Sequence, residues 1–185
     1  NRKDLANASA AATSAINTWY GRPEIPIGTD KVGPTARQET SLFAPVLRDG
    51  FPHAAKPDDL MPDAVEIYRT VLAAQPEGSV TICSVGAFSN LAELCRRDPE
   101  LVRAKVARLV VMGGQFPPRD KPETNIATHP EAAALVARDW PTQIAWQGLE
   151  VGHPVITGVG LKATPAGNPV RQAYEARRYG ARPPI

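Results

Sequence analysis

An α/β chain built on a doubly wound, mostly parallel sheet is predicted by two features of the sequence. Short β-branched or apolar runs recur at Val80–Val85, Leu109–Met112 and Thr142–Trp146, each of strand length. Segments with helical patterning separate them, and strand–helix alternation at this spacing is the pattern of parallel sheets. Crossovers of that kind bring successive strands together, so the three runs are expected to be neighbours. No internal repeat or domain boundary interrupts the 185 residues, a length that suits one domain with a sizeable core.

The elements follow in order. Leu5–Trp19 is Ala-rich with Gly21 just past its end, a helix with a stop signal. Ile25–Ile27 reads as a short strand, and Pro26 restricts it to an edge or a strand start. Lys31–Pro57, dense in Pro and Gly, reads as a loop, and at that length as an active-site flap or a partly disordered segment. Apolar residues at Met61, Ala64, Val65, Tyr68, Val71 and Leu72 make a helical stripe over Met61–Ala74. Beyond the Val80–Val85 strand, Ser89–Arg97 and Glu100–Ala107 form a helix pair broken at Pro99. Ser89 or Asn90 is expected to cap the turn that enters it. Glu131–Arg138 is a helix capped by Thr128, with Pro130 in its first turn. The last helix, Asn168–Tyr179, ends at Gly180.

The stretch richest in chemistry is Arg108-Leu-Val-Val-Met-Gly-Gly-Gln-Phe116, followed by Glu123-Thr-Asn-Ile126. A buried strand ends in Met112 and opens into a Gly pair where backbone can approach a ligand. The Pro-rich loop 116–122 then delivers Glu123 and Asn125 one residue apart, which in extended backbone puts both on one face. A carboxylate accepts hydrogen bonds from hydroxyls, and a carboxamide both donates and accepts, so the pair suits a polyol such as a ribose. Ligands of open parallel sheets bind beyond the carboxyl ends of the strands. That rule selects Val85-Gly86, Met112–Gly114 with Glu123 and Asn125, and Gln147–His153.

These residues also carry a resemblance. Val111-Met-Gly-Gly114, Glu123-x-Asn125-Ile126 and Pro130-Glu-Ala-Ala133 resemble the central segment of the inosine-uridine nucleoside hydrolases. Tyr20-Gly-Arg-Pro-Glu-Ile-Pro-Ile-Gly28 is similar to that family's early strand. Asp63–Glu66 and Ser79–Ala92 are similar to its helix, strand and Gly-x-Leu-Thr-Asn turn. The likeness runs over roughly Ala12–Gly158 and rests on the order and spacing of the motifs together. It implies a Rossmann-like nucleoside hydrolase fold and hydrolysis of the N-glycosidic bond of a nucleoside. Met112, Glu123 and Asn125 would contact the sugar, and the Val85 carbonyl oxygen would be a metal ligand.

The family's N-terminal Asp cluster, of the type Asp-x-Asp-x-x-x-Asp-Asp, has no match here, and its late metal-binding Asp lies beyond the matching region. Asp4 stands alone, and the adjacent pair Asp58-Asp59 precedes a helix rather than following a strand. The chain is therefore expected to be an incomplete form of the fold, truncated at both ends. The resemblance implies Ca²⁺ as the cofactor of a complete member. This chain by itself offers one suggested carbonyl and scattered carboxylates, against the 6–8 oxygens that calcium takes. Catalytic residues are accordingly left unassigned, and the chain alone is expected to be inactive. Two other readings stand beside the hydrolase. One is a degenerate, non-catalytic member that binds a ribosyl ligand or a protein partner. The other is an unrelated Rossmann-like domain, against which the lack of a Gly-x-Gly-x-x-Gly or Gly-Lys-Ser/Thr turn counts.

Composition excludes other classes. A formal net charge of +2, without a long block of Lys or Arg, does not point to nucleic acid. Arg96-Arg97 and Arg177-Arg178 read as solvated helix faces. No apolar run approaches the ~20 residues of a membrane span. Two cysteines are too few for a disulfide scaffold, and both Cys83 and Cys95 are expected as free core thiols. His53 lies in the loop, His129 at a helix start, and His153 at a strand end where it could face the pocket. The expected partner is a small-molecule nucleoside. A homo-oligomer is compatible with the sequence, and the compartment is left open.

Overall fold

A computed structural model describes residues 8–34, 41–57, 60–117, 120 and 122–177. In chain order its elements are α1 (Ala8–Trp19), α2 (Ala44–Gly50), α3 (Ala64–Ala73), β1 (Val80–Ser84), α4 (Ser89–Arg97), α5 (Pro99–Lys105), β2 (Val106–Met112), α6 (Thr124–Thr128), α7 (Pro130–Asp139), β3 (Gln143–Gln147), α8 (Leu149–Gly152), a 3-10 turn (Val159–Ala163) and α9 (Pro169–Ala176). No helix among them is long and apolar enough to cross a membrane. The described residues divide into two compact units, one from 8–29, 41–62 and 156–177, the other from 30–34 and 63–155.

The first unit is helical. Ala8 and Ala12 of α1 pack on Ala44 and Leu47 of α2, with Ile16, Phe43, Phe51 and Ala173 around them. Small side chains let these backbones approach closely, so the Ala-rich sequence of α1 is also its packing code. The helix stops as its sequence predicts. Gly21 takes a left-handed φ of +70°, Arg22 N–H donates to the Asn17 carbonyl at 2.8 Å and Gly21 N–H to that of Thr18 at 3.1 Å. Asn168 caps α9, accepting from the Val170 and Arg171 amides.

Two expectations for this unit are corrected. Ile25–Ile27 is not a strand; between Pro23 and Pro26 the chain turns, and the ladder contact falls later, at Thr29, whose N–H donates to the Pro62 carbonyl at 2.9 Å. The span read as loop from Lys31 to Pro57 contains α2. Pro45 lies in its first turn, where a missing N–H costs nothing, and Ser41 Oγ accepts from the Ala44 amide at 3.0 Å.

The second unit is the α/β part. Its sheet has the order β1-β2-β3, with both pairs parallel. The expected fold class holds: successive β-branched runs are neighbours, and helices make the crossovers. Ile82, Leu109 and Val111 point to one face, where they join Phe88, Leu91, Leu94, Val102, Ala132, Val136 and Trp140 in the larger core. There α4 packs against α7 and α3. Across the sheet, Thr81, Cys83 and Val85 are exposed. Cys83 is therefore not a core thiol; period-2 alternation turns it to the face opposite Ile82. Cys95 is buried as expected.

Boundaries shift for local reasons. The stripe from Met61 becomes a helix only at Ala64, because Pro62 precedes the cap and Asp63 accepts from the Val65 amide at 2.9 Å. The helix expected to reach Ala107 ends at Lys105; Val106 and Ala107 already belong to β2. Neither Ser89 nor Asn90 caps α4, whose N-cap is Phe88. Ser89 instead gives its hydroxyl proton to buried Asp30, which also accepts from the Val32 and Gly33 amides at 3.0 and 2.8 Å. Thr128 does not cap α7. It ends α6, bonded to the Thr124 carbonyl at 2.7 Å, and His129 holds the N-cap position without a side-chain bond. Asp58-Asp59, Arg178, Gly180 and the residues before Ala8 lie outside the described residues.

Candidate functional site

The site begins where β2 runs out. Gly113 N–H donates to the Gln147 carbonyl at 3.0 Å, and Leu149 N–H to the Gly114 carbonyl at 3.0 Å, so the end of β2 is stitched to the end of β3. Both glycines are needed. Gly114 has φ +80°, and a Cβ on Gly113 would stand 2.9 Å from Cζ of fully buried Phe88. The Phe88 ring stacks on Trp146 with centroids 5.8 Å apart, which fixes this floor.

Glu123 reaches the same place from the far side of the loop. It is 8% exposed and is the N-cap of α6, with extended backbone at φ −65°, ψ 146°. Its Oε1 accepts from the Asn125 amide at 2.8 Å, and its Oε2 from the Ile126 and Gly114 amides at 3.2 Å each. Three backbone donors and the partial positive charge of a helix start hold this carboxylate in one orientation. The expectation of extended backbone through Asn125 is corrected here: Asn125 lies inside α6, and helical geometry rather than strand alternation sets its direction. Its Nδ2 donates to Met112, to the carbonyl at 3.0 Å and to Sδ at 3.0 Å. The Nδ2 group of the carboxamide is thus turned to Met112, and Oδ1 is left as the acceptor.

Met112, Glu123 and Asn125 are therefore brought together by direct bonds, as three groups around one Gly–Gly turn. Val85 follows β1 next to this turn, since Ser84 is in register with Val111, and it is 81% exposed. Val85 and Met112 line one cavity of about 610 Å³, together with Cys83, Val110, Leu149 and His153. His153 does face this pocket, at the end of α8. His129 does not line it; its ring lies 3.9 Å from the exposed Glu131 carboxylate. A calcium ion needs several carboxylate oxygens as well as a carbonyl. Among the described residues no cluster of three or more His, Cys, Asp or Glu could hold a metal, so they do not compose the calcium site implied by the resemblance.

Sequence reasoning passed over Glu150, whose Oε2 accepts from the Phe116 amide at 3.0 Å and so holds the loop beyond Gly114. Its signal was Gly148 two residues before, a glycine at φ −70° that no backbone strain requires.

A parallel three-stranded sheet with helical crossovers puts the α/β unit in the Rossmann-like class. The chain belongs to the inosine-uridine preferring nucleoside hydrolase family, whose sequence profile matches residues 3–179. It is 34% identical over 150 residues to the pyrimidine-specific ribonucleoside hydrolase RihA of Salmonella typhi, covering 74% of this chain and 45% of that protein. Among solved structures, it superposes on an inosine-uridine preferring nucleoside hydrolase of Bacillus anthracis with TM-score 0.67 at 22% identity, over 91% of this chain and 62% of that one. A purine-preferring ribonucleoside hydrolase of Gardnerella vaginalis gives TM-score 0.66 at 17% identity, over 95% and 61%. The chain spans about half the length of the curated relatives it matches.

Proposed function

We propose that the protein carrying this sequence hydrolyses the N-glycosidic bond of a nucleoside, with Met112, Glu123 and Asn125 holding the sugar. The observation that supports this most is their convergence on the Gly113-Gly114 turn, in a chain of this family. A carboxylate can accept about four hydrogen bonds, and three of those on Glu123 are taken by amides. The remaining direction, and Oδ1 of Asn125, make two acceptors for two sugar hydroxyls. The sugar becomes oxocarbenium-like as the bond to the base breaks, and the fixed negative charge of Glu123 favours that positive charge more than the neutral ground state. Binding energy realised in this way lowers the barrier.

Water activation by a metal is the finer part of the proposal. The described residues could contribute the Val85 carbonyl oxygen to such an ion, and its other ligands would have to come from elsewhere. The role argued for these residues is to bind and orient the sugar.

The test is release of free base from inosine and uridine by the protein carrying this sequence, followed as reducing sugar with and without a chelator. Asn125→Ala is expected to lower kcat/KM about tenfold, the order of one hydrogen bond to a sugar hydroxyl. Unchanged kinetics in Asn125→Ala would move the sugar site elsewhere. No base release from either nucleoside would overturn the activity.

A further inference from the structure

We propose that Glu150 is a positioning residue for the sugar-binding pair, acting through the backbone of the Gly113–Phe116 turn; this rests on the reading of Glu123 and Asn125 as sugar contacts. The turn is held at three points. Gly113 and Gly114 are tied to β3 and α8 by backbone bonds to Gln147 and Leu149, and among the described residues Phe116 is tied by Glu150. The same turn presents the Gly114 amide to Glu123 Oε2. Glu150 and Glu123 thus grip one four-residue stretch, Gly113–Phe116, each through an amide. Releasing Phe116 loosens the turn that presents the Gly114 amide to Glu123.

Two further observations point the same way. Among the described residues no basic side chain pairs with Glu150, whose carboxylate accepts instead from the Phe116 amide. Its carboxylate is also given room: a Cβ on Gly148 would overlap both Glu150 carboxylate oxygens, while the Gly148 backbone at φ −70°, ψ 165° suits any residue. Gly148 is accounted for by the seat of this carboxylate and by nothing in its own conformation. An alanine there would push the flexible end of Glu150 off the Phe116 amide while leaving residue 150 unchanged.

Three variants of the protein carrying this sequence decide it: Glu150→Ala, Gly148→Ala and Glu150→Gln. The glutamine keeps a side-chain oxygen acceptor and loses only the charge, so it should rescue. Amide hydrogen exchange read by NMR at Phe116 and Gly114 gives the first readout, and inosine affinity by calorimetry the second. Exchange at Phe116 and the Kd for inosine are both expected to rise about tenfold in Glu150→Ala and Gly148→Ala, and to stay within about twofold of the parent in Glu150→Gln. Phe116 exchange unmoved by Glu150→Ala and Gly148→Ala would overturn the tether, whatever the affinities. Faster exchange with unchanged inosine affinity would overturn the positioning role while leaving the sugar site standing. Parent protein that binds no inosine would instead overturn the sugar-site reading, and the exchange data would still tell that failure from loss of the tether.

Discussion

Removing the Glu123 carboxylate tests the site at its most connected atom. A charged residue on a surface loop would be replaced at a cost within about 0.5 kcal/mol, and the sequence alone places Glu123 on such a loop. The structure argues for a larger loss. Glu123→Ala removes the N-cap of α6, worth about 1 kcal/mol. It also takes the acceptor from the Gly114 amide, a part-buried donor that belongs to no helix, for about 1 kcal/mol more. The expected destabilisation is therefore about 2 kcal/mol, and Glu123→Gln, with one oxygen in place of two, should fall near half of that. Urea unfolding followed by tryptophan fluorescence measures it as a shift in midpoint at constant slope. Trp140 and Trp146 report on the α/β unit, where Trp140 is buried in the core and Trp146 packs against it. A loss below about 0.5 kcal/mol for Glu123→Ala would refute the claim that this carboxylate organises the turn, because neither the cap nor the Gly114 bond would then carry weight.

The floor of the site gives a second expectation. Phe88→Ala opens a cavity in a fully buried position and should cost about 3–5 kcal/mol, while Gly113→Ala drives a methyl into the Phe88 ring and should cost about 1–3 kcal/mol, both by the same unfolding assay. The thiols should separate by reactivity. Cys83 is exposed, whereas burial, with the nearby Asp139 carboxylate, raises the Cys95 pKa and disfavours its thiolate, so an alkylating reagent at mildly alkaline pH should label Cys83 first and Cys95 only on unfolding, as mass spectrometry would count. Equal labelling rates in the native protein would place Cys95 outside the core.

The parallel order of the strands was legible because it needs only composition and connection length. Val80-Thr-Ile-Cys and Leu109-Val-Val-Met are β-branched or apolar runs, and the helices between them permit one direction of return. What escaped depended on partners far off in sequence or on positional exceptions. Pro45 and Gly50 read as loop residues, although Pro in a first turn and Gly at a helix end are compatible with α2. The burial of Asp30 could not be foreseen, since its partner Ser89 is 59 residues away. Cys83 was misread because an apolar run was assumed to be buried on both faces, and only one face of β1 is covered. At the site, Met112, Glu123 and Asn125 were all legible as candidates, and the turn that unites them was marked by its two glycines. Their roles in the fold were not. Glu is an uncommon N-cap, so the pattern Glu123-Thr-Asn125 read as extended chain instead of a helix start.

That difference changes what the pair can offer a ligand. In extended backbone Asn125 would present both ends of its carboxamide, one donor and one acceptor. In α6 its amide nitrogen is committed to Met112, so it presents an oxygen. Glu123 likewise keeps one free direction out of about four. A site built from two acceptors selects a ligand that brings donors, and vicinal hydroxyls bring two. It also discriminates by penalty: a group without O–H would leave a part-buried carboxylate facing nothing, at a cost of about 1–3 kcal/mol. Backbone amides fix the Glu123 carboxylate and Met112 fixes the Asn125 carboxamide. In the proposed sugar-binding role little ordering would therefore remain to be done on binding, and the charge of Glu123 would already be aimed when positive charge develops on the sugar. The helix cap and the proposed sugar contact are therefore not competing explanations of Glu123. The cap holds the carboxylate still, and a carboxylate held still is what the proposed chemistry requires.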